Sequence, residues 1–592
     1  MSTPTLPTPL AGSSFVLALP APAAIFTPED FSDQHRLIAQ TAEAFAEQDV
    51  LPQADAMEHQ DFSITRALLL KASQLGLTAA DVPETYGGMG LDFLASAIIA
   101  DRIATYGSFS AAFGAHVGIG ILPVLFFGSE AQKQRYLPRL TSGEWLGAYA
   151  LSEAGSGSDA LAARTRAELT ADGKHYRLNG EKMWITNGGF ADLFTVFAKI
   201  DGEQFTAFLV ERTFPGVSTG AEEKKMGIKG SSTRPLVLND ALVPVENVLG
   251  EVGRGHIIAF NILNVGRFKL GAACVGGARN CLHDALAYAR QRQAFGKSIA
   301  EFGLVQQMLA DMVLGLYGCE SAVYRTVGLI DARLGDIDKT AADAPQRIRK
   351  ALEEFSVECS MVKVFGSEML DQVVDHNVQI HGGYGFVQEY PAERAYRDAR
   401  VNRIFEGTNE INRLLITGQL LKKALKGELP LLAAVQKVTD EVFAGAAATS
   451  SEARLDAEQQ SLEGARKLTL LLAGAAFQKF RDQLEQQQEV LAGLSDLLIE
   501  VYVAQSALLR ALKMPAPHVE FATTLARVTV AEALERVQVI AHRLLPAIAE
   551  GDMLRTQTAM VRRLLKHDLI DTIALRREIA ATTLAAGRYP LA

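Results

Sequence analysis

The sequence predicts an α+β fold that is mainly helical, with one antiparallel β-domain between helical domains. Three observations lead to this prediction. Apolar residues recur three and four positions apart before residue 145 and again after residue 253, as in amphipathic helices. Between these regions lie short β-branched or aromatic segments bounded by Gly, Asn or Asp, which are typical of strands. After residue 430 the chain is rich in Ala and Leu with charges at helical spacing, which predicts an appended helical domain.

The 592 residues are enough for several domains. We expect a flexible N-terminal arm at 1–29, an N-terminal helical domain at 30–146, a middle β-domain at 147–251, a C-terminal four-helix-bundle domain at 252–427 and an appended helical domain at 428–592. The first 26 residues contain no Lys or Arg, which argues against a basic secretory signal or an Arg-rich transit peptide and favours a cytoplasmic protein.

The individual elements follow in chain order. In the first helical region the pattern predicts helices at Phe31–Glu47 and Ile64–Leu77, before a Gly-rich break at Tyr86–Gly90. Four strands are predicted next, at Tyr176–Ile185, Leu193–Ile200, Phe205–Val210 and Pro235–Val243. Long helices are then predicted at 264–291, 302–334 and 345–377, and Gly427 and Pro430 end the last helix near Lys426.

Composition excludes several classes of protein. A net charge of -10 and a pI near 5.7 argue against the basic face that nucleic-acid binding needs. The four cysteines form no CxxC pair and have no histidine at metal-ligand spacing, so we expect buried thiols in a reducing compartment and no metal site. The segment from Ile103 to Gly128 is uncharged and long enough for a membrane span, but its five glycines and Pro123 favour a buried helix pair.

A first candidate motif is ALSEAGSGSD, from Ala150 to Asp159, where the helical region gives way to strands. Small residues and hydroxyls let backbone N–H groups approach an electron-rich ligand closely, as in anion-binding nests. A solvent loop is the alternative interpretation. The string is not a Rossmann fingerprint, because no βαβ unit and no GxGxxG surround it.

A second motif, Lys182–Gly188, places Trp184 in a strand with Thr186 two residues later. An aromatic face beside a hydroxyl donor is what a stacked heteroaromatic ring needs, although a strand tryptophan is more often part of the core. A third motif, Arg292–Lys297, ends a helix. There a guanidinium suits a pyrophosphate and Phe295 suits an adenine, whereas a plain helix-terminal arginine is the alternative.

The fourth motif is RIFEGTNE, from Arg403 to Glu410, in which Thr408 or Asn409 caps a following helix. Glu406 therefore lies just outside a helix N-terminus, beside a glycine that permits close backbone approach. Burial under an apolar substrate would raise the pKa of this carboxyl into the range of a useful base. The alternative is an acid that merely stabilises the helix dipole.

Together these motifs resemble the acyl-CoA dehydrogenase family, from about residue 30 to 425. The resemblance lies in Tyr149–Asp159, Trp184–Gly188, Lys224–Gly230, Leu263–Phe268, Arg292–Lys297, Val378–Phe386 and Ile404–Glu410. Because of the appended helical domain, the chain looks most like the very-long-chain branch, which carries such an extension.

The resemblance implies an oxidoreductase with an FAD cofactor and Glu406 as the catalytic base that removes the α-proton of a thioester. It implies that the Glu406 backbone N–H and a ribityl hydroxyl hold the thioester carbonyl. Some members keep the base at the position of Gly266, so Glu406 is the candidate here. The implied cofactor-binding residues are Tyr149, Leu151, Ser152, Gly157, Ser158, Trp184, Ile185, Thr186, Arg292, Phe295, Gln379, Ile380, Gly382, Gly383, Thr408, Asn409 and Glu410.

The resemblance also implies substrate contacts from Ser158, Asn264, Arg267, Phe405 and Gly407. The substrate would be a fatty acyl-CoA, which is oxidised to the trans-2-enoyl-CoA in the first step of β-oxidation, and electrons would pass to electron-transfer flavoprotein. The Arg292 and Gln379–Gly383 groups would serve the neighbouring subunit's FAD, which implies a homodimer.

Small residues in the segment expected to line the acyl tunnel favour medium-to-long chains, with close helix packing as the alternative; they are Ala111, Ala112, Gly114, Ala115 and Gly118. In the extension, Lys467–Phe480 has basic ends and an apolar middle, which fits peripheral membrane contact and a core helix equally well. Two other functions stay open: a flavin oxidase of acyl-CoA or a related substrate, and a non-catalytic role in respiratory-complex assembly.

Overall fold

The computed structural model describes residues 10–335, 337, 344–444 and 453–591. Seven helices form the first domain: α1 Asp33–Phe45, α2 Ala54–Glu58, α3 Phe62–Gln74, α4 Phe93–Ile103, α5 Gly107–Gly114, α6 Leu122–Phe127 and α7 Glu130–Thr141. Ser32, Asp92 and Ser129 begin α1, α4 and α7, because each side chain accepts a hydrogen bond from a first-turn backbone N–H. The two helices predicted in this domain are confirmed as α1 and α3, with slightly shifted ends.

The middle domain is one sheet with the strand order β6-β7-β3-β2-β4-β5-β8 and β1 beside β4. Its strands are β1 Gly147–Ala150, β2 Arg166–Leu169, β3 His175–Thr186, β4 Leu193–Ile200, β5 Gln204–Glu211, β6 Val217–Thr219, β7 Thr233–Pro244 and β8 Val248–Leu249. The four predicted strands are confirmed as β3, β4, β5 and β7. The prediction of a purely antiparallel domain is wrong for two pairs, because β1 and β2 run parallel to β4. Parallel strands need a long connection, which residues 151–192 supply between β1 and β4.

The third domain is helical, as expected. It contains α8 Gly255–Gln291, the hairpin strands β9 Gln293–Ala294 and β10 Lys297–Ser298, α9 Gly303–Gly335, α10 Ala344–Glu354, α11 Ser356–His381, α12 Pro391–Ala399 and α13 Asn409–Leu425. Helix α8 packs against α11, α9 and α4 of the first domain. The single helix predicted at 345–377 is wrong, since α10 and α11 are separate. Between them the backbone of Phe355 (φ -101°, ψ 18°) leaves the helical region while its ring is fully buried.

The appended domain is confirmed as helical, with α14 Leu431–Ala444, α15 Asp456–Phe480, α16 Gln488–Lys513, α17 Val519–Ile548, α18 Gly551–Leu564 and α19 Thr572–Ala586. Its own core contains the buried faces of α15, α16 and α17. Within α15, Leu468, Leu470 and Leu472 are each buried. The apolar middle of Lys467–Phe480 is therefore part of the core rather than a face for membrane contact.

Residues 10–29, expected to be part of a flexible arm, are instead packed against the C-terminal domains. Phe15 and Val16 are buried, and the Arg466 guanidinium donates to the Val16 carbonyl at 2.7 Å. The Ser13 N–H donates to Glu358 at 2.5 Å, and the Lys513 ammonium donates to the Ile25 carbonyl at 2.8 Å. The prediction fails because apolar residues that lack a local periodic pattern find partners from distant parts of the chain. Residues 1–9 lie outside the described part.

A buried ionic network joins the N-terminal segment, the third domain and the appended domain. Glu320 of α9 accepts from Arg510 of α16 at 2.6 Å and from Arg279 of α8 at 2.8 Å. Arg510 also donates to Glu29 at 2.9 Å. Burial alone would raise the pKa of Glu320, but Arg510 and Arg279 lower it, so the carboxylate is ionised at neutral pH.

Three helices of the described chain are long and apolar enough to cross a membrane by length and composition, namely Gly107–Phe127, Gly255–Gln291 and Gln488–Lys513. In each, 72% to 78% of the most apolar stretch is buried inside the fold. The prediction of a buried helix pair around 103–128 is confirmed, with α5 and α6 joined by a π-turn at Ala115–Gly120.

We expect Glu320→Ala to lower the free energy of unfolding by about 3–5 kcal/mol, because it leaves Arg510 and Arg279 buried with fewer counter-charges. Urea denaturation followed by circular dichroism measures this change. Asp552→Ala is the matched control, since Asp552 pairs with Arg555 on the surface at 95% side-chain exposure and should have little effect. Equal effects of the two substitutions would contradict the assignment of Glu320 as a stabilising centre.

Candidate active site

A cavity of about 390 Å³ lies where the first domain, the sheet and α8 meet. Its walls include Glu406, Phe405, Gly266 and Thr186, which were all in the sequence motifs. Cavities of this size suit a small-molecule ligand, and most of the wall is apolar. Four of the five predicted small tunnel residues line it, namely Ala111, Gly114, Ala115 and Gly118. Ala112 instead is fully buried, and its carbonyl accepts from Asn187 at 2.9 Å.

Glu406 precedes α13 in an unusual backbone conformation. Both Glu406 (φ 58°) and Gly407 (φ 80°) are left-handed, and the Thr408 hydroxyl then accepts from the Ile411 N–H as the N-cap of α13. The left-handed conformation is unfavourable for a glutamate by roughly 1–3 kcal/mol, so the surroundings must hold it in place. Of the two predicted N-caps, Thr408 is confirmed.

Three side chains hold this turn by its carbonyl oxygens. Arg267 donates to the Glu406 carbonyl at 3.3 Å, and Lys363 donates to the Gly407 carbonyl at 2.8 Å. Asn412 donates to the Gly407 and Thr408 carbonyls at 2.8 and 3.0 Å. Sequence reasoning found Arg267 but missed Lys363 and Asn412. A lysine within the apolar run MVKVF of α11 was the available signal, because a lysine is rarely buried without a partner.

The Glu406 side chain is half-buried in the cavity wall, and its buried Oε2 has no hydrogen-bond partner among the described residues. Burial raises the pKa of Glu406 to about 7, although Arg267 and Lys363 act to lower it. Burial likewise lowers the pKa of Lys363 to about 8, despite the charge of Glu406. A carboxyl that titrates near neutral pH beside an apolar cavity is suited to general-base catalysis.

Gly266 makes room for this carboxyl. A Cβ at position 266 would lie 2.6 Å from Glu406 Oε2, so any larger residue would displace the carboxyl. Next to it in α8, Arg267 and Asn264 are buried and joined by a hydrogen bond of 2.9 Å between Nη1 and Oδ1. Asn264 therefore orients Arg267, and neither side chain is free to point elsewhere.

The loop after β1 is supported from beneath by a buried ion pair. Lys182 of β3 lies 2.7 Å from Glu153 and donates to the Leu151 carbonyl at 3.2 Å. Burial alone would raise the pKa of Glu153, but hydrogen bonds from Lys182 and Thr165 lower it. The Ser152 carbonyl accepts from the Met183 N–H at 2.9 Å, which ties the loop to β3. Glu153 and Lys182 both lie in the sequence motifs, but their pairing was not predicted because 29 residues separate them.

The exposed side of the same loop is open. A Cβ at Gly155 or Gly157 would meet no atom within 4 Å, and Ser158 is exposed. Within β1, just before the loop, Tyr149 is buried near Glu406, and burial and the charge of Glu406 both raise the pKa of the Tyr149 phenol.

Trp184 is not a core residue. It sits at a register shift between β3 and β7, has a left-handed backbone (φ 58°) and is 56% exposed. Its neighbour Ile185 is buried in the sheet core, and Thr186 lines the Glu406 cavity. The bulge thus turns one aromatic face outward beside the open loop, which favours the ring-stacking interpretation over the core one.

The residues expected to hold the adenosine part of a dinucleotide form a second cluster. Arg292, Ile380, His381, Gly382 and Gly383 line a cavity of about 490 Å³. Tyr288 and Tyr384 line it too and were not expected as ligands. Phe295 is 95% exposed at the turn of the β9–β10 hairpin, and Gln379 is exposed at the end of α11. Within one chain, the wall of the Glu406 cavity contains none of these residues.

At the start of α13, the Asn409 side chain is less accessible to a cofactor than the sequence analysis predicted. Its side chain is buried, accepts from Lys363 at 2.7 Å and donates to Ser367 at 3.0 Å. It therefore stabilises the turn from inside. Glu410 is exposed, and its own backbone N–H is the main cause that lowers its pKa.

Comparison with known proteins gives one consistent result. Sequence profiles described as acyl-CoA dehydrogenase N-terminal, middle and C-terminal domains match residues 32–144, 148–241 and 253–421, and a further acyl-CoA dehydrogenase C-terminal domain matches 464–563. A probable acyl-CoA dehydrogenase of Bacillus subtilis (strain 168) is 50% identical over 569 residues, which cover 95% of this chain and 96% of that protein. The chain therefore belongs to the acyl-CoA dehydrogenase family.

Two further similarities bear on the cofactor and the branch. The crystal structure of an acyl-CoA dehydrogenase complexed with FAD from Bacillus anthracis has a TM-score of 0.97 at 48% identity, covering 98% of this chain and 100% of that one. The very long-chain specific acyl-CoA dehydrogenase of Macaca fascicularis is 44% identical over 356 residues, which span 58% of this chain and 52% of that protein. The cofactor is FAD. The exposed Trp184, the open glycines of the loop and Thr186 on the cavity wall fit a flavin there.

We expect Glu406→Gln to stabilise the folded protein, and to do so more strongly as the pH rises. The pKa of Glu406 is raised from 4.5 to about 7 on folding, so the ionised form favours unfolding. This destabilisation is absent below pH 4.5, grows as the pH rises from 4.5 to 7 and levels off above pH 7 at roughly 3 kcal/mol. Urea unfolding of both proteins at pH 5 and pH 8 measures the difference.

Glu410→Gln is the matched control for this experiment, because the pKa of Glu410 is lowered rather than raised. That variant should gain no stability with rising pH. A pH-independent difference between Glu406→Gln and the unmodified protein would show that the Glu406 carboxyl is not desolvated in solution.

Proposed function

We propose that this acyl-CoA dehydrogenase oxidises medium-to-long-chain fatty acyl-CoA to trans-2-enoyl-CoA, as the first step of fatty acid β-oxidation, and passes the electrons to electron-transfer flavoprotein. The observation that carries the proposal is the Glu406 carboxyl, whose buried Oε2 has no partner in the described part of the chain and which forms the cavity wall together with Thr186. A cavity that offers an unpartnered base to an apolar ligand suits the removal of a proton from carbon.

Glu406 takes the α-proton of the thioester in this mechanism. The C–H bond at Cα breaks, its electron pair forms the new α,β double bond, and the proton moves to a Glu406 carboxylate oxygen. With a pKa near 7, the carboxylate is both substantially ionised and basic enough at neutral pH. FAD, when bound, supplies the acceptor for the hydride that leaves Cβ.

The backbone around Glu406 contributes a hydrogen-bond donor. The Glu406 N–H makes no hydrogen bond within the described chain, while the carbonyls beside it are fixed by Arg267, Lys363 and Asn412. We assign this N–H to the thioester carbonyl, where it stabilises the enolate-like charge that develops as the proton leaves. Phe405 in the cavity wall helps to exclude water, which strengthens that interaction.

The cavity wall supports a long acyl chain. On α8 it contains residues from Gly266 to Asp284, which at ~1.5 Å per helical residue span about 27 Å. Opposite them lie small side chains of the first domain, among them Ala104, Ala111 and Ala115. Beyond Gly277 the wall becomes polar, with Asn280 and Asp284. The mainly apolar part from Gly266 to Gly277 spans about 16 Å and matches an extended fatty acyl chain better than a short one.

The exposed second cluster supports a homodimer. Arg292, Phe295 and Gly382–Gly383 form an open surface of charge, aromatic rings and glycines that one chain does not direct at its own Glu406 cavity. We assign this surface to the adenosine and pyrophosphate of the partner subunit's FAD.

The protein would act in the cytoplasm. A flavin oxidase that shares this fold is the second candidate, distinguished by hydrogen peroxide release on turnover in air, whereas a role in respiratory-complex assembly would need no Glu406.

We expect anaerobic addition of palmitoyl-CoA to bleach the flavin absorbance of the purified protein within the mixing time of a spectrometer. Glu406→Gln should slow this bleaching by about 10²–10⁴-fold, because it removes the base while keeping the shape of the side chain. Asp552→Asn, which removes a carboxylate from the surface of the appended domain, is the control and should bleach normally. Bleaching at the normal rate in Glu406→Gln would exclude Glu406 as the base.

We expect kcat/KM to rise with pH until Glu406 is ionised. Below about pH 7 the rate should increase by about tenfold per pH unit and then level off, because only the carboxylate form accepts the proton. Initial rates with a dye acceptor from about pH 5.5 to 8.5 measure this profile. A profile that falls with rising pH through this range would instead assign the essential ionisation to a group that must stay protonated, such as Lys363.

A further inference from the structure

Helix α8 forms one wall of the Glu406 cavity along a single face. The residues that line it recur with the period of a helix, namely Gly266, Lys269, Leu270, Ala273, Cys274, Gly277, Asn280, Cys281 and Asp284. Each step along this face moves away from the Glu406 carboxyl, which lies against Gly266. Gly277 is therefore about 16 Å from Gly266 along the helix axis, at ~1.5 Å per residue.

Packing does not require a glycine at position 277. A Cβ there would meet Leu370 at 3.4 Å and the Ala104 carbonyl at 3.7 Å, which are ordinary van der Waals distances. The adjacent Gly276 is different, because its Cβ would lie 1.8 Å from the Asp101 carbonyl where α4 crosses α8. Glycine is an unfavourable residue in the interior of a helix, so its presence at 277 needs a reason other than helix contact.

The cavity supplies that reason. Ala104 of the first domain and Leu370 of α11, the two neighbours of a Cβ at 277, are themselves in the cavity wall. Three walls of the cavity therefore meet at this level of α8. A Cβ alone fits between them, whereas the further carbons of a larger side chain would extend into the space that the acyl chain would occupy.

We propose that Gly277 is a specificity-determining residue that keeps the acyl tunnel open for chains of about sixteen carbons. This inference rests on the proposed function, since it concerns the acyl chain of that substrate. An extended palmitoyl chain with its α-carbon at Glu406 reaches the level of Gly277, while a dodecanoyl chain ends before it. Ala273 lies about 6 Å nearer to Glu406 on the same face, so a large side chain at this position would limit the tunnel to shorter acyl chains.

The test is a series of substitutions assayed with octanoyl-, dodecanoyl- and palmitoyl-CoA under anaerobic flavin reduction. Gly277→Leu should lower kcat/KM for palmitoyl-CoA by about 100-fold, which is the size of effect expected when a substrate no longer fits an apolar pocket. The kcat/KM values for the two shorter substrates should change by less than about threefold. Ala273→Leu should lower kcat/KM for dodecanoyl-CoA as well as for palmitoyl-CoA. Gly277→Ala is the matched control, and should keep all three substrates because a Cβ fits.

Flavin content and the activity with octanoyl-CoA report whether each variant folds. Gly277→Met, whose flexible side chain adapts to its surroundings, replaces Gly277→Leu if that variant fails to fold. Retention of palmitoyl-CoA activity by a folded Gly277→Leu or Gly277→Met would overturn the inference and leave the proposed function intact. Failure of the unmodified protein to reduce its flavin with any of the three substrates would overturn the proposed function itself, whatever the variants do.

Discussion

A single desolvated carboxyl sets the requirements that the surrounding structure meets. Glu406 lies against Gly266 in a left-handed turn, and nothing in the described chain donates a hydrogen bond to its buried Oε2. Burial of a carboxylate in this way is unfavourable, and the two nearby cations offset it only in part, so its pKa stays near 7. This incompletely offset desolvation destabilises the fold, but it also gives Glu406 the basicity that proton abstraction from carbon needs.

The cations near Glu406 act on the backbone more than on the carboxyl. Arg267 and Lys363 donate to carbonyl oxygens of the turn, and Asn412 and Asn409 complete the set of hydrogen bonds around it. If either cation formed a close ion pair with the carboxylate, the pKa would fall and the base would weaken. Holding the turn by its carbonyls fixes the position of Glu406 while leaving its carboxyl free for substrate.

The rest of the molecule holds this arrangement in place from a distance. Helix α8 supplies Gly266 and Arg267 and packs against α4 and α9, whereas α11 supplies Lys363 and packs against α9 and α13 and against α16 of the appended domain. The Glu320 network and the buried Phe15 and Val16 join the N-terminal segment to those same helices. A contact made by residues far apart in the chain thus restrains the elements that position the base.

Much of this protein could be predicted from the sequence alone. Periodicity gave the helical and strand regions, because burying one face of a helix or a strand imposes a period that is visible without a structure. The predicted positions of Glu406, Arg267, Thr186 and Thr408 in one site region agree with the structure, since each lies in a local motif whose turn or cap depends on neighbouring residues.

Only the tertiary structure decided the features that depend on partners distant in sequence. Lys363 reaches the turn from α11, the Lys182–Glu153 pair joins two segments of the middle domain, and the strands β2 and β3 lie between β1 and its parallel partner β4 in the chain. Residues 10–29 carry no periodic pattern, yet they are ordered by contacts with helices more than three hundred residues away. The sequence by itself determined the family, the elements and the base, because local chemistry encodes them. The burial of Glu406, and therefore its pKa, is decided only by the tertiary structure, because desolvation depends on all the residues that pack around a group.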